Sequence, residues 1–480
     1  MPQRNPVVLP LQPYQYQPLS HSAQTRIVVL EPSLDAAASL VCGIEELRVE
    51  LDEGFQALSY TWGEPSFTET LIVDNSSFLR ITPNLRDALH RFRLPFSPHR
   101  LWVDAICINQ YDEEEKAIQI PSMDLIYRGA TAVLVWLGKY PAQAACLANI
   151  KAHPRLLGGE SSVGSHAGPQ EHSELLMSVS SLVKLPWFSR RWIVQEVVLN
   201  PDVILCCCNE ELSWVRLASC LGIVKNLPLG MKAMHTLLAM VSLWKRWVFN
   251  GDESRNGGIF DLLEAFDHFQ CFGDRDRLFA LGGLATDLRI GSRMGFESPA
   301  GLLPLHVDYT ITAESLYTKF CMDVLEFPNE SMKHQMLRSS LARCCESRNS
   351  LPSWVPDWRL PATRRPFFHC EVYNSLLKFE YNPPLLDIGA VFKGRAVFFW
   401  SDPAEPSLLH FGIGPDHIQI GDEMIAVKRP SSGNHSFQVV LIVRDVTADS
   451  AKLVGDSLLV LSFDNPNFWF PLPERTISLG

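Results

Sequence analysis

The sequence predicts an α/β protein built on a parallel sheet, followed by a helical region and a small β-rich C-terminal domain. Three observations lead there. Leu101 to Cys107 and Thr131 to Leu137 are compact apolar runs of strand length, the first broken only by Asp104. A helical pattern opened by Asp112 lies between them, so strand, helix and strand follow over short links, as in a βαβ unit. After Pro352 the texture shifts to short β-type runs at Ala396–Trp400, Glu423–Val427, Gln438–Val443 and Ser457–Phe463.

Taken in order, residues 1–24 are rich in Pro and Gln and read as a flexible tail. Arg26–Glu31, Glu45–Leu51, Gln56–Trp62 and Thr70–Val73 read as strands, and Asp74-Asn75-Ser76 supplies turn chemistry before Phe78–Ile81. Asn84 is read as the N-cap of a helix whose Leu85, Ala88, Leu89 and Phe92 share one face. Asp112, with Glu115 three residues on, caps the next helix, which buries Ile120, Met123, Tyr127 and Ala130 and kinks or restarts at Pro121. Thr131–Leu137 is expected to lie beside Leu101–Cys107, in parallel. Pro154–Glu171 is a Gly- and Ser-rich loop. Helices are expected over 173–184 and 187–199, a strand over 202–208, then helices over 212–288 and 312–327. The resulting division is an α/β domain over 25–200, a helical region over 201–350 and a β-rich domain over 351–480.

Bulk properties exclude several classes. A net charge of −11 with no basic excess argues against a nucleic-acid partner. The N-terminus has no apolar core of a signal peptide. The longest apolar stretch, Leu227–Phe249, is interrupted by Lys232, His235, Lys245 and Arg246, so no membrane span is expected. A soluble, cytoplasmic protein with reduced thiols follows as an expectation. Neither Cys206-Cys207-Cys208 nor Cys344-Cys345 has the spacing that lets two thiolates chelate one zinc, and no metal is expected. The chain lacks a phosphate-binding glycine loop, a dinucleotide fingerprint, a serine-hydrolase elbow and HExxH.

Candidate site residues follow from position. In parallel sheets ligands bind beyond the carboxyl ends of strands, which places Cys107–Gln110 at such an edge. Asp104, inside an apolar run, must be hydrogen-bonded; it either scaffolds the next loop or contacts a ligand. Asn109 and Gln110 either satisfy that loop or read a ligand edge. Cys107 has no local base and reads as a core thiol. Tyr60, Trp62 and Gly63 end a strand, with Gly63 allowing a turn and Trp62 either core or pocket wall. Trp192 and Glu196 share a helical face, where the indole forms a platform for a base or nicotinamide ring and desolvates the carboxylate. Arg191 is a further ligand-binding candidate beside them. The competing reading of Glu196 is an ion pair with a partner from elsewhere, since its own helix offers no base and Arg190 and Arg191 lie too far round. Trp62, Asp104, Asn109 and the Trp192–Glu196 helix are expected to converge on one cleft.

Four blocks carry a resemblance: ALSYTWGEP (57–65), LWVDAICINQ (101–110), VLVWLG (133–138) and WFSRRWIVQEV (187–197). Together they resemble the fungal heterokaryon-incompatibility (HET) domain family, as do the later DRDRLFALGGLATD (274–287), VDYTITAESLY (307–317), LPSWVPDW (351–358) and IQIGDEMIAV (418–427). Lys116 stands where the family has Arg, and Gly282 where it has Leu. The resemblance implies a role in allorecognition and programmed cell death. A weaker likeness links ALSYTWGEP and SRRWIVQEV to TIR domains. It implies a TIR/flavodoxin-like sheet, Glu196 as catalytic residue, and NAD as substrate, with no bound cofactor. The alternative is a non-enzymatic module acting by assembly with a protein partner or by self-association.

Overall fold

A computed structural model of the chain describes residues 11–21, 24–48, 54–153, 169–224, 232–250, 257–292, 301–343, 351–352, 354–362 and the strands lying between 379 and 479. It divides into two compact units, residues 1–259 with 268–310, and residues 260–267 with 311–480.

The first unit is mixed α/β. Its strands are β1 Gln12–Pro13, β2 Gln24–Leu30, β3 Val41–Arg48, β4 Gln56–Tyr60, β5 Glu69–Val73, β6 Ser77–Ile81, β7 His99–Trp102, β8 Val133–Gly138, β9 Val203–Cys207 and β10 Glu210–Ser213. They form one sheet in the order β1-β6-β5-β3-β2-β7-β4-β8-β9-β10. The sheet is mixed rather than parallel throughout. Only β7, β4, β8 and β9 form a continuous parallel block, while β2 runs antiparallel to both β3 and β7. The two apolar runs of the expected βαβ unit are parallel, but β4 stands between them: Ala57 pairs with both Trp102 and Val133. Strand order is not written in either strand alone: β4 and β8 are both almost wholly buried, as suits strands covered on both faces, and either could sit beside β7. The first run is also shorter than expected. It leaves the sheet after Trp102 and coils into the single turn α2, Asp104–Cys107, which lifts Asp104 off the end of β7.

Local chemistry sets the remaining elements. Asp74 and Asn75 adopt left-handed backbone and make the β5–β6 hairpin turn. Helix α1, Pro83–Phe92, buries Leu85, Ala88, Leu89 and Phe92, but its cap is Thr82, whose Oγ1 accepts Leu85 N–H at 3.3 Å, with Pro83 at the first position. Asn84 is occupied elsewhere: its amide donates to Thr61 O and its carbonyl accepts the Trp136 indole. Asp112 caps α3, Glu113–Gln119, through Glu114 and Glu115 N–H. Pro121 forces a 3₁₀ turn over Ile120–Ser122 before α4, Met123–Gly129, restarts. Met123, Tyr127 and Ala130 are buried as expected, and Ile120 is half-buried. Further helices are α5 Pro141–Ala152, α6 Pro169–Leu182, α7 Ile193–Val198, α8 Trp214–Val224 and α9 Lys232–Asn250. Most of the expected Pro154–Glu171 loop lies outside the described residues. The helix expected over 187–199 is broken: Pro186–Ser189 is a 3₁₀ turn, Arg190 is extended, and α7 begins only at Ile193. The N-terminal stretch is not a free tail over its described part, since β1 pairs with β6 and the Tyr16 hydroxyl donates to Ile106 O.

α11, Asp276–Gly282, and the parallel pair β11 Leu288–Ser292 and β12 Leu303–Val307 complete this unit. Gly282 answers the departure noted above. A Cβ there would sit 2.8 Å from Ile290 Cδ1 and 3.3 Å from Leu305 Cδ2, so the β11–β12 pair fills the space of a side chain. Restoring the family residue by Gly282→Leu is therefore expected to destabilise by about 1–3 kcal/mol through overpacking. Denaturant unfolding checks it; a variant as stable as the parent would show that the pair yields freely.

The second unit holds α10 Ile259–Ala265, α12 Ala313–Glu326 and α13 Glu330–Leu341. Trp358 packs among Phe260, Tyr317 and Phe320. Asp267 and Arg343 form a buried ion pair there, and Asp267 also accepts Ala362 N–H at 2.9 Å. Beyond residue 378 the described strands β13 Phe379–Pro384, β14 Asp387–Phe392, β15 Arg395–Ser401, β16 Leu409–Pro415, β17 Glu423–Val427, β18 Phe437–Arg444 and β19 Ser450–Val460 form an antiparallel sheet in the order β13-β17-β18-β19-β16-β15-β14, and β20 Ser478–Leu479 pairs with β19.

Candidate functional site

The carboxyl ends of β4 and β7 lie side by side, and the chain leaving each carries a polar group. β4 contributes Ser59 and Tyr60 at its last two positions and Trp62 just beyond; β7 leads into Asp104. The indole of Trp62 donates to Asp104 Oδ2 at 2.9 Å, and Ala105 N–H donates to Oδ1 at 2.8 Å. Asp104 is half-buried, and burial, opposed by Arg190 and reinforced by Glu196, pushes its carboxyl up to about 6.

Glu196 comes to the same place from α7. It is 2% exposed and almost fully engaged. The Ser59 hydroxyl donates to Oε2, and Arg190 donates from Nη2 to Oε1 at 3.1 Å and from Nη1 to Oε2 at 3.3 Å. The Trp187 indole donates to Ser59 Oγ at 2.7 Å, giving a buried chain Trp187–Ser59–Glu196–Arg190. This corrects the expectation that Arg190 lies too far round to pair. That expectation assumed one continuous helix. Arg190 is extended and bridged to Gln270, so its side chain can turn back onto α7. Burial alone would lower the Arg190 pKa, but the carboxylates of Glu196 and Asp104 outweigh it and the net shift is upward.

Trp62, Asp104 and Glu196 thus gather around Arg190. Tyr60 and Tyr127, both buried, have their hydroxyl pKa values raised well above the usual range, chiefly by burial and further by the Asp104 and Glu196 charges. Gly63 adopts φ +76°, the left-handed turn expected after β4.

Other candidates turn elsewhere. Trp192 shares the α7 turn with Glu196, but its indole donates to Asp276, which also takes the Tyr309 hydroxyl at 2.5 Å. It is therefore a strut to α11 rather than a platform over Glu196. Arg191 is buried and donates to Arg277 O. Asn109 serves the loop: its N–H donates to Glu115 and its Oδ1 accepts Tyr111 N–H. The Gln110 amide donates to Asp104 O, so it braces α2. Cys107 is buried, its Sγ accepts Val103 N–H, and burial pushes the thiol up to about 12, as a core thiol requires.

Two structural residues were not anticipated. Arg26 is ion-paired to Glu115 at 2.6 Å and donates to Cys107 O, tying α3 to α2. Asn200 donates to Tyr127 O and Ala130 O and accepts Asp202 N–H, closing the link from α4 to β9. The only cue to either was a polar residue flanking an apolar run, which many solvated residues share.

Among the described residues, no group of three His, Cys, Asp or Glu side chains is placed to hold a metal ion. None of the described helices is long and apolar enough to cross a membrane.

This site lies within residues 55–196, which match the family model described as Heterokaryon incompatibility protein (HET). The matched segment runs from just before β4 to Glu196 itself. A relative in Neurospora crassa, described as heterokaryon incompatibility protein 6, OR allele, is 24% identical over 409 residues. That match covers 70% of this chain and 58% of the relative, so the chain spans little more than half of the relative's length. No solved structure matches the chain significantly.

Proposed function

We propose that the chain is an incompatibility effector whose HET domain cleaves NAD, with the acidic cluster at the carboxyl edge of β4 and β7 as its site. One observation carries this reading: two carboxylates, Asp104 and Glu196, are drawn together around a single Arg190, beyond the ends of adjacent parallel strands. Two carboxylates against one guanidinium leave the ionised site net negative. Such a field favours the oxocarbenium-like centre that forms when a nicotinamide–ribose bond breaks. A TIR-like use of the sheet, programmed cell death as outcome and a cytoplasmic setting belong to this reading.

A second reading is favoured by the engagement of Glu196. With Ser59 and Arg190 on its oxygens and Trp192 turned toward Asp276, the carboxylate serves as a structural tie, and the domain acts by assembly with a protein partner or with itself.

Glu196→Gln separates the two. Expressed in a fungal host, the variant is expected to lose both killing and NAD depletion. Purified, it is expected to keep only a residual NAD turnover per folded molecule, measured well below its melting temperature. A folded variant that still kills while cellular NAD stays level in both strains would remove the enzymatic reading and leave assembly.

A further inference from the structure

We propose that Asp104, rather than Glu196, is the carboxylate that meets the ligand, acting as general base toward the attacking water, and that Glu196 and Arg190 are positioning residues behind it. This assignment rests on the NAD-cleaving reading of the cluster.

Glu196 is poorly placed to touch anything new. It is 2% exposed, and three donors from Ser59 and Arg190 already occupy its oxygens. Asp104 is half-buried and stands off the end of β7 on its own turn. Its oxygens take one donor each, Trp62 on Oδ2 and Ala105 on Oδ1. Each carboxylate oxygen can accept about two hydrogen bonds, so one direction remains on each for a ligand or water. Trp62, also half-buried, flanks it from just beyond the end of β4, so Asp104 stands at the edge where ligands enter sheets of this kind.

The charged and titratable groups facing Asp104 come from every neighbouring element: Arg190, Glu196 of α7, Tyr60 of β4, Tyr127 of α4 and Cys107 of α2. Burial first, then Glu196, raise the Asp104 carboxyl, and Arg190 restrains it, leaving it at about 6. A base poised near neutrality is ionised in use yet still takes a proton.

The step balances. The bond between ribose C1′ and the nicotinamide nitrogen breaks, and its electron pair neutralises the pyridinium. Water oxygen bonds to C1′, and its proton passes to an Asp104 oxygen, then to solvent. The products are nicotinamide, ADP-ribose and one proton.

The test uses the purified full chain with NAD as probe, following turnover and melting against pH. Wild-type turnover should rise as pH passes through about 6. Asp104→Asn should lower turnover about 100-fold or more and abolish that limb. Its fold should survive. The Asp104 carboxyl is raised in the folded chain, so its ionisation opposes folding above about pH 6, and below about pH 4 both states are protonated and the effect vanishes. The Asn variant gives up one of the two hydrogen bonds but also the cost of the buried charge, and should therefore melt close to wild type at about pH 8. Glu196→Gln removes a charge that raises Asp104 and should move the limb about one unit down in pH. Trp62→Phe removes a donor that stabilises the ionised form and should move it up. Turnover near wild type in Asp104→Asn overturns the assignment while leaving NAD cleavage standing. So does lost turnover accompanied by a lowered melting temperature and an unmoved limb in both other variants. Wild-type protein that leaves NAD intact at every pH overturns the NAD reading itself, and the general-base role with it.

Discussion

Arg190→Gln is expected to lower the stability of the first unit by about 3–5 kcal/mol, the cost of leaving one member of a buried ion pair without its partner. Glu196 is 2% exposed, and Arg190 supplies two of its three hydrogen bonds. Ser59, the remaining donor, is neutral and cannot offset the charge. The amide that replaces the guanidinium could still donate one hydrogen bond, which places the loss toward the lower end of that range. Equilibrium unfolding in urea, followed by tryptophan fluorescence, measures it. A midpoint unchanged from wild type would show that Glu196 finds water or another cation once Arg190 is gone, and the pair would then not be a structural tie.

A loss of similar size, about 3–5 kcal/mol, is expected for Asp267→Ala in the second unit. The Asp267 and Arg343 side chains are only 6% and 3% exposed. Arg343 also donates to Leu360 O, Ser339 O and Ser339 Oγ, so its position is fixed and it cannot swing to solvent when its carboxylate is removed. Asp267 further accepts Ala362 N–H, and the alanine variant forfeits that bond too. Asp267→Asn, which keeps the shape, separates the charge contribution from the hydrogen bonds. Urea unfolding with midpoints in the order wild type, Asn, Ala supports the argument; equal midpoints for all three would defeat it.

Much of the sheet was legible because its strands are short apolar runs with clear turn residues between them. Asp74-Asn75 is the plainest case, where left-handed backbone falls on two residues that tolerate it. The insertion of β4 between β7 and β8 was not legible. Pairing depends on which surfaces meet in three dimensions, and nothing local to these strands states which neighbour each takes. Within the site, Trp62, Asp104 and Glu196 could be placed on one edge from the parallel-sheet rule alone. Arg190 was missed, and Trp192 misdirected, for one shared reason. The pattern from 187 to 199 is helical in its apolar spacing, but Pro186 and the bridge to Gln270 hold the first part out of the helix. Once that helix is broken, an arginine six residues before the glutamate reaches it, and the tryptophan is freed to reach Asp276. The caps show the same limit: Thr82 and Asn84 both suit a cap, and Pro83 between them decides for Thr82.

The buried chain from Trp187 through Ser59 to Glu196 and Arg190 joins residues 128 and 137 positions apart in sequence. A hydroxyl on β4 is useful there only if an indole and a carboxylate arrive from the later segment. Chimeras between divergent relatives that cross over between β4 and Trp187 therefore inherit the two halves of this linkage from different parents. Where one parent lacks the hydroxyl or the carboxylate, the hybrid buries an orphaned group, and such crossovers should yield insoluble protein more often than those made before β4 or after α7.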